Sequence, residues 1–407
     1  MKNHRTSRRQ FLKATGAALG TPLVVRASAL GADGQTAASE RIVMGTIGTG
    51  GQGTGDMHGF MGFQEVQMVA VCDPVPEHRE RAQASVNQRY NNQDCRAYND
   101  FRELLARDDI DAVLIGTPDH WHAIITIEAC KRGKDVYCEK PETLTIREGR
   151  LMVEAVRRYG RVFSGGSQRV LGDYGDWPKI LWSGGIGQVK EVFVDCGGPS
   201  GECHLNAEPL PPGLDWEMWL GPAPWRPFHS SLIRGGFRPY RDYSGGGMTD
   251  WGAHGFGGAL FAAGLHETGP VEIIPPNGKD VPLLTYVFAN GVRMYHGGSK
   301  AGIHTFKGSE GTICEDDKHK PAPSIVIPNY RGRGGINGDF LECVRTRQRP
   351  FRDIERAHRT VTVCHLGNIA YWLGRRIKWD PVKEEIIGDE EANRWLSRPM
   401  RAPWHLG

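Results

Sequence analysis

Asp250 and His254 stand four residues apart in the stretch DWGAH, and together they have the chemistry of an acid–base pair. Residues at this spacing share one face of a helix, so the carboxylate can lie beside the imidazole. A histidine next to a carboxylate titrates near neutral pH and can relay protons. The alternative is that Asp250 caps the helix and His254 packs in the interior. Four nearby glycines, at positions 252, 255, 257 and 258, are unfavourable in an ordinary helix and indicate that something packs very close to it.

A glycine-rich turn forms the second candidate site. The stretch IGTGGQG has the pattern GxGxxG directly after an apolar run. Such glycines permit a tight turn, close approach of backbone N–H groups to a pyrophosphate, and close packing of the next helix. Asp73 follows 20 residues later, where a carboxylate can bind an adenosine ribose and would repel the 2′-phosphate of NADP. The pattern predicts a dinucleotide site that favours NAD over NADP, with a turn made of Gly48, Gly50, Gly51, Gln52 and Gly53.

The first half of the chain has the pattern of a parallel sheet that could position these residues. Near-continuous apolar character, typical of strands covered on both faces, is found in RIVMGTI, VQMVAVC, DAVLIG and KDVYC. The segments between these runs read as helices, and one of them, LTIREGRLMVEAVRRYG, repeats apolar residues along one face. Strands that alternate with helices predict an α/β fold, with a doubly wound parallel sheet of the Rossmann type over residues 41–165.

The pattern changes in the second half of the chain. Strand-like runs such as VKEVFVDC, LLTYVFANGVRMYHGG and PSIVIPN are separated by long loops rich in Gly, Pro and Trp. Two helical segments, NGDFLECVRTRQ and ERAHRTVTVCHLGNIAYWLGRR, close the chain. We therefore predict an α+β domain over residues 166–407, with an open, mostly antiparallel sheet and large loops at one end.

The N-terminus has the features of an export signal. SRRQFLK precedes an apolar stretch and the small residues ASA, which predicts a twin-arginine signal peptide over residues 1–29 and a linker over 30–40. A basic, unstructured N-terminus is the alternative. The apolar stretch is far shorter than the roughly 20 residues of a membrane span, so we expect no stable membrane anchor. The expected protein is exported to the periplasm by the twin-arginine translocation machinery, which carries folded proteins with cofactors already bound.

Composition indicates an ordinary soluble protein of about two domains, with 407 residues of which 39% are hydrophobic and 24% charged. The net charge of +3 comes from the leader, which holds six of the 50 Lys and Arg residues and none of the 47 Asp and Glu residues. The rest of the chain is near −3, so the charge gives no indication of nucleic-acid binding.

Metal and disulfide chemistry have weaker support. His120 and His122 follow an apolar run, but no carboxylate stands at a convincing spacing, and no Cys or His cluster has zinc spacing. We therefore predict no metal site. The nine cysteines are an odd number, so at least one is unpaired, and Cys196 and Cys203 could pair across a loop.

Three motifs resemble those of the Gfo/Idh/MocA family of sugar and cyclitol oxidoreductases: EKP at 139–141, GTPDHWHA at 116–123 and GGGMTDWGAH at 245–254. The resemblance covers essentially the whole chain after the leader and is greatest to the twin-arginine-exported, glucose–fructose oxidoreductase-like branch. It implies that Lys140 lies beside the nicotinamide and stabilises the developing alkoxide. It also implies that His254 is the acid–base residue and that Asp250 positions the histidine or the substrate. One departure is Gly257, where many members have another acid.

The resemblance implies further contacts. Those to the cofactor would come from Thr117, Pro118, His122, Glu139, Lys140 and Gln168. Aromatic rings can stack on sugars and arginines can bind hydroxyls, so the Trp-, Tyr- and Arg-rich loop 215–243 is a candidate substrate surface. The alternative is a loop that packs domains or subunits together. The expected substrate contacts are Arg169, Tyr240, Tyr243 and Trp251.

Export narrows the expected chemistry, because no replenished nicotinamide pool exists outside the cytoplasm. We expect an NAD-dependent oxidoreductase that acts on a hydroxyl of a sugar, sugar derivative or cyclitol and recycles a tightly bound cofactor in place. The alternative is an NAD-dependent glycosidase or lyase that works by transient oxidation at C3 and elimination. A non-catalytic NAD-binding protein is a third possibility. By analogy alone, an exposed sheet face would favour homodimers or homotetramers.

Overall fold

The N-terminal sheet has six strands, all parallel, in the order β3-β2-β1-β4-β5-β6. The computed structural model describes residues 36–167, 177–317, 323–325 and 334–407. The predicted signal peptide therefore lies outside the described residues, and a 3-10 turn at Ala38–Glu40 precedes the first strand. The strands are β1 Ile42–Ile47, β2 Val66–Cys72, β3 Arg96–Tyr98, β4 Ala112–Ile115, β5 Asp135–Cys138 and β6 Phe163–Gly165.

Helices connect these strands and cover both faces of the sheet, and they are α1 Gly51–Met61, α2 Pro76–Tyr90, α3 Phe101–Leu105, α4 Asp119–Lys131 and α5 Ile146–Arg158. The central strands β4 and β5 are buried along their whole length, as their continuous apolar sequences predict. The strand order reverses between β1 and β4, which leaves a crevice at the carboxyl ends of these two strands. The prediction of a doubly wound α/β fold is confirmed.

The second sheet has eight strands in the order β12-β11-β7-β10-β9-β8-β13-β14, and only the pair β7–β10 is parallel. The prediction of a mostly antiparallel sheet is confirmed. These strands are β7 Val189–Val194, β8 Pro270–Ile274, β9 Leu284–Phe288, β10 Arg293–His296, β11 His304–Gly308, β12 Thr312–Cys314, β13 Ile377–Asp380 and β14 Glu385–Ile386. The strand predicted in PSIVIPN is not formed at 323–325, and the rest of that stretch lies outside the described residues.

The helices of the second half are α6 Trp177–Trp182, α7 Trp216–Leu220, α8 Gly247–Asp250, α9 Gly252–Ala262, α10 Gly335–Thr346, α11 Ile354–Leu373 and α12 Glu390–Asn393, with a π-helical turn at Leu232–Gly236 and 3-10 turns at Glu315–Asp317 and Arg394–Leu396. Helices α9 and α11 pack on one face of the second sheet and form its core through residues such as Phe256, Leu260 and Leu366. On the other face, Phe193 stacks on Tyr295 with 4.8 Å between ring centroids.

Two late segments of the chain return to the first sheet. The Phe340 ring of α10 lies 6.0 Å from Phe60 and 5.9 Å from Tyr137, both of which belong to the first domain. Near the C-terminus, Trp404 packs edge-on against Trp121, with 4.6 Å between the ring centroids. Trp404 also lies 6.1 Å from Phe101. The last residues of the chain therefore contribute to the packing of the N-terminal domain.

Helix α5 begins with a capping box. The Thr145 hydroxyl accepts a hydrogen bond from the Glu148 backbone N–H at 3.3 Å, and the Glu148 carboxylate accepts one from the Thr145 N–H at 3.0 Å. These bonds satisfy N–H groups that a helix start leaves without partners.

We expect the substitution Thr145→Ala to lower the free energy of unfolding by about 1 kcal/mol, because it removes the capping hydroxyl. Urea denaturation of the two proteins measures the difference. Thr145→Ser keeps the hydroxyl and is the matched control. Equal stability of the alanine and serine variants would contradict this role for the cap.

The described helices include none that is both long and apolar enough to cross a lipid bilayer. Cys196 and Cys203 are not joined by a disulfide, and the Cys203 sulfur lies against the Arg226 guanidinium. The pairing that the sequence left open is therefore not formed in the structure.

Candidate active site

The glycine-rich turn connects β1 to α1. Gly48 has φ +86°, and a Cβ added there would lie 2.5 Å from the Thr117 backbone nitrogen. A Cβ at Gly53 would overlap the carbonyl oxygen of Gly48, so both positions require glycine for packing. Gly50 and Gly51 differ, because a Cβ at either position would meet nothing within 4 Å. Two of the predicted glycines thus hold the turn together, and two leave open space in front of the start of α1.

Asp73 lies at the end of β2 and stabilises the glycine-rich turn by hydrogen bonding. Its Oδ2 atom accepts a hydrogen bond from the Thr49 N–H at 2.7 Å, and its Oδ1 atom accepts one from the Val75 N–H at 2.9 Å. The side chain is buried but lines the cavity described next. This is the position in which a carboxylate can accept hydrogen bonds from ribose hydroxyls.

A cavity of about 430 Å³ begins at the glycine turn and follows the carboxyl ends of β1, β4 and β5. A volume of this size suits a small-molecule or cofactor site. The sequence-predicted residues that line it are Gly48, Gly50, Gly51, Gln52, Asp73, Thr117, Pro118, Glu139, Lys140 and Asp250. The fold therefore brings the predicted cofactor turn and two of the three predicted catalytic residues to one cavity.

Lys140 and Asp250 form an ion pair in the wall of this cavity. The Lys140 Nζ atom donates to the Asp250 Oδ1 atom at 2.8 Å and to the Asp250 carbonyl oxygen at 3.2 Å. The Arg238 Nε atom donates to the same Oδ1 atom at 3.2 Å. Burial alone would raise the pKa of Asp250, but the charges and hydrogen bonds of Lys140 and Arg238 outweigh it and hold that pKa below its usual value. Asp250 thus remains ionised and fixes the lysine ammonium group.

His254 lies one helical turn into the next helix and is 6% exposed. Its Nδ1 atom is 2.8 Å from the Ser167 hydroxyl. The predicted contact with Asp250 is replaced by this bond, because α8 ends at Asp250 and α9 begins at Gly252. The Asp250 carboxylate points to Lys140, while His254 bonds to Ser167, two residues after β6. His254 is not among the residues that line the cavity.

His120 and His122 are buried, and their side chains contact backbone groups rather than a ligand site. The ring nitrogens of His122 lie 2.8 Å from the Pro141 and Thr117 carbonyl oxygens, which ties the EKP loop to the loop after β4. Burial lowers the pKa of His122 to about 4 and that of His120 to about 3. Among the described residues, no three His, Cys, Asp or Glu side chains are grouped so that they could hold a metal ion.

Glu139 links the EKP motif to helix α1. It is 3% exposed, and its Oε2 atom accepts from the Lys140 backbone N–H at 3.2 Å. Burial raises the pKa of Asp56, which hydrogen-bonds to Glu139 and to Gln52. A protonated Asp56 can donate to the Glu139 carboxylate, so Gln52, Asp56 and Glu139 form a connected path from the glycine turn to the motif.

The residues predicted to contact substrate are dispersed. Tyr243 is fully buried against the rings of Trp219 and His120, and Tyr240 is partly buried in the same cluster. For these two residues, the structure matches the alternative in which the loop packs against the rest of the protein. Trp251 is 45% exposed and its ring lies 6.0 Å from that of His254. Gln168 and Arg169 lie outside the described residues.

Sequence reasoning assigned no role to three residues of this arrangement. Arg238 was one of several arginines in a long loop, and nothing distinguished it until the fold placed it on Asp250. Ser167 stands two residues after β6, and its small hydroxyl gave no signal. Asp119 was quoted within GTPDHWHA but was assigned no role, although it also lines the cavity.

The cavity fits a nicotinamide dinucleotide by three observations. Backbone N–H groups at the start of α1 face open space at Gly50 and Gly51, which suits a pyrophosphate. Asp73 lines the cavity at the end of β2, where the adenosine ribose binds in this topology. A lysine, Lys140, lies on the other side of the crevice at the end of β5.

Two family models match the chain. One, described as "Oxidoreductase family, NAD-binding Rossmann fold", matches residues 42–167. The other, described as "Oxidoreductase family, C-terminal alpha/beta domain", matches residues 198–406, which is about half of the chain. Both belong to the Gfo/Idh/MocA group.

Relatives and solved structures are also similar. An alpha-N-acetylgalactosaminidase of Shewanella oneidensis is 33% identical over 174 residues, which cover 38% of this chain and 38% of that protein. The aldose-aldose oxidoreductase of Caulobacter crescentus, solved with glycerol, has a TM-score of 0.59 and 18% identity and covers 83% of this chain and 99% of its own. The WlbA dehydrogenase of Bordetella pertussis, solved with NADH and UDP-GlcNAcA, has a TM-score of 0.59 and 17% identity, with coverage of 84% and 99%. At these identities the structures show a common fold.

Proposed function

Because the chain belongs to the Gfo/Idh/MocA oxidoreductase family, we propose that it oxidises a hydroxyl group of a sugar, sugar derivative or cyclitol with a tightly bound NAD that it recycles in place. One observation carries the proposal. The Lys140–Asp250 pair, with Nζ and Oδ1 2.8 Å apart, lies in the wall of the cavity that begins at the glycine turn. A lysine ammonium group held at this place can meet a substrate hydroxyl beside a bound dinucleotide.

The residues have separate roles in this proposal. Bound NAD supplies the hydride acceptor. Lys140 stabilises the negative charge that develops on the substrate oxygen, while Asp250 and Arg238 hold the ammonium group in place. His254, oriented by Ser167, is proposed to move the hydroxyl proton once substrate is bound. The Asp73 carboxylate supports a preference for NAD, because it would repel the 2′-phosphate of NADP.

Export to the periplasm by the twin-arginine route remains part of the proposal. It rests on the SRRQFLK signal and on the need to carry a bound cofactor out of the cell. A retained cofactor would be reduced by one substrate and reoxidised by a second substrate. Assembly into dimers or tetramers stays a prediction.

The second candidate function is an NAD-dependent glycosidase or lyase. It is supported by the Shewanella oneidensis alpha-N-acetylgalactosaminidase, which is 33% identical to this chain over 174 residues. The matched segment spans 38% of that relative, so its activity supports this alternative without deciding it. The Lys140–Asp250 pair serves either reaction, because both begin with oxidation of a sugar hydroxyl.

One preparation tests both functions. The protein without residues 1–29 is purified and denatured, and the released nucleotide is identified by chromatography. We expect NAD or NADH in near-stoichiometric amount and little NADP.

The intact protein is then assayed with chromogenic glycosides and, separately, with pairs of sugars. Ping-pong kinetics with two sugars would support the oxidoreductase. Release of the chromophore without a net change at 340 nm would support the glycosidase. Absence of bound nucleotide would contradict cofactor retention.

A further inference from the structure

Asp119 is a cavity residue that the proposed reaction leaves without a role. It is the first residue of helix α4, directly after Pro118, at the carboxyl end of β4. The side chain is 4% exposed and lines the same cavity as Lys140 and Asp250. Since β4 borders the crevice where the strand order reverses, Asp119 stands at the point where ligands bind in this topology.

The carboxyl group of Asp119 is poorly satisfied by the protein. Within the part of the chain that the structure describes, its Oδ2 atom is buried and has no hydrogen-bond partner. A buried carboxylate without partners is costly, and protonation removes the charge that causes the cost. Burial raises the pKa of Asp119 to about 7, and the Ser244 hydroxyl, which lies against the carboxyl group, moderates the increase.

Charged groups from several elements act on Asp119. The negative Asp250 on α8 raises its pKa further, while the positive Arg238 and Lys140 lower it. The C-terminal tail and β5 contribute two further titratable groups that interact with it, Arg398 and Cys138. Opposing charges therefore surround Asp119, so any new charge in the cavity should change the pKa of its carboxyl group.

The expected orientation of the dinucleotide supplies such a charge. Gly50 and Gly51 mark the pyrophosphate position, and Asp73 lies on the adenosine side of it. A dinucleotide bound in this order would place its nicotinamide ring on the side of the crevice formed by β4 and β5, where Asp119 and Lys140 lie. The oxidised ring is positively charged and the reduced ring is neutral. A positive charge nearby stabilises a carboxylate.

We propose that Asp119 is a further acid–base residue of this cavity, which releases its proton to solvent when oxidised dinucleotide binds. The proposal rests on the dinucleotide orientation described above. The resulting carboxylate is then able to take up the proton that a substrate hydroxyl loses on oxidation. Asp119 is therefore a second proton acceptor, placed on a different element from His254.

Isothermal titration calorimetry with NAD⁺ at pH 7, on protein from which the bound nucleotide has first been removed and in two buffers of different ionisation enthalpy, measures the number of protons released on binding. A pKa of about 7 leaves about half of the molecules protonated, so we expect roughly half a proton per NAD⁺ bound. NADH should release much less, because its ring is neutral. In the Asp119→Asn variant, NAD⁺ should still bind but proton release should disappear.

Two further variants keep the test informative. Glu148→Gln is the matched control, because Glu148 is an equally buried carboxyl group with a raised pKa that lies outside the cavity lining. Its proton release should equal that of the unchanged protein. Ser244→Ala should raise the pKa of Asp119 and so increase release at pH 8, which tests the proposal even if Asp119→Asn does not fold.

Equal proton release in the Asp119→Asn variant and the unchanged protein would overturn the proposal, as would binding of NAD⁺ without release. Either result leaves the oxidoreductase function in place. No binding heat with NAD⁺ or NADH in the nucleotide-free protein would instead contradict the cofactor assignment, and the role of Asp119 with it.

Discussion

The substitution Lys140→Ala is expected to lower kcat by about 100-fold or more while NAD remains bound. The Lys140 ammonium group is held 2.8 Å from Asp250 in the cavity wall, and alanine removes the group proposed to stabilise the developing alkoxide. The loss should appear in kcat and in kcat/KM together, because the stabilisation is needed in the transition state. Initial rates with a substrate from the sugar and glycoside panel, together with the nucleotide content of the purified variant, measure the effect.

Lys131→Ala is the matched control for this prediction. Lys131 lies on the exposed end of α4 and pairs with Glu128. Its removal should leave kcat unchanged within experimental error. If Lys140→Ala turned over substrate as fast as the Lys131 variant, Lys140 would have no part in the reaction.

The substitution Gly50→Val is expected to weaken NAD binding by about 100-fold or more, equivalent to about 2.7 kcal/mol. A Cβ at Gly50 would meet no protein atom within 4 Å, so the variant should fold. The added side chain instead enters the cavity, where the pyrophosphate must approach the backbone N–H groups of the turn. Binding titrations with NADH on nucleotide-free protein, followed by fluorescence, measure the dissociation constant, and circular dichroism checks the fold.

Gly55→Val tests whether valine itself is the cause. Gly55 lies in α1, the helix that begins directly after Gly50, a Cβ there also meets nothing within 4 Å, and the residue does not line the cavity. This variant should bind NADH as the unchanged protein does. Full NAD retention by purified Gly50→Val would refute the assignment of the turn to the pyrophosphate.

Four strands of the first sheet, β1, β2, β4 and β5, could be predicted because they are continuously apolar, and the glycine turn could be predicted from its characteristic spacing. Strands β3 and β6 are three residues long and were not predicted. Strands β8 and β13 were not predicted. Their sequences, PVEII and IKWD, are interrupted by charged residues and so lack the continuous apolar run by which the equally short β4 and β5 were recognised. The resemblance of the EKP motif predicted that Lys140 belongs to the site, and Lys140 does line the cavity. Its partner Asp250 is 110 residues away in the sequence, and hydrophobic periodicity gives no information about contacts between residues so far apart.

The Asp250–His254 pair shows where reasoning from spacing ends. A spacing of four predicts one helical face, but the helix is interrupted at Trp251 and the two side chains take different partners. Local spacing assumes an unbroken helix, whereas the tertiary ion pair with Lys140 determines the direction of the carboxylate. Tyr243 illustrates the same limit, because an aromatic residue in a polar loop became part of a buried cluster that only the fold assembles.

The packing of Phe340 and Trp404 on the first domain has a consequence for biosynthesis. Phe340 covers Phe60 and Tyr137, and Trp404 covers Trp121, so the first domain lacks part of its interior until these distant residues arrive. Domains usually fold in order as the nascent polypeptide emerges. Here the N-terminal domain cannot complete its core until the ribosome has released the segment that carries Trp404.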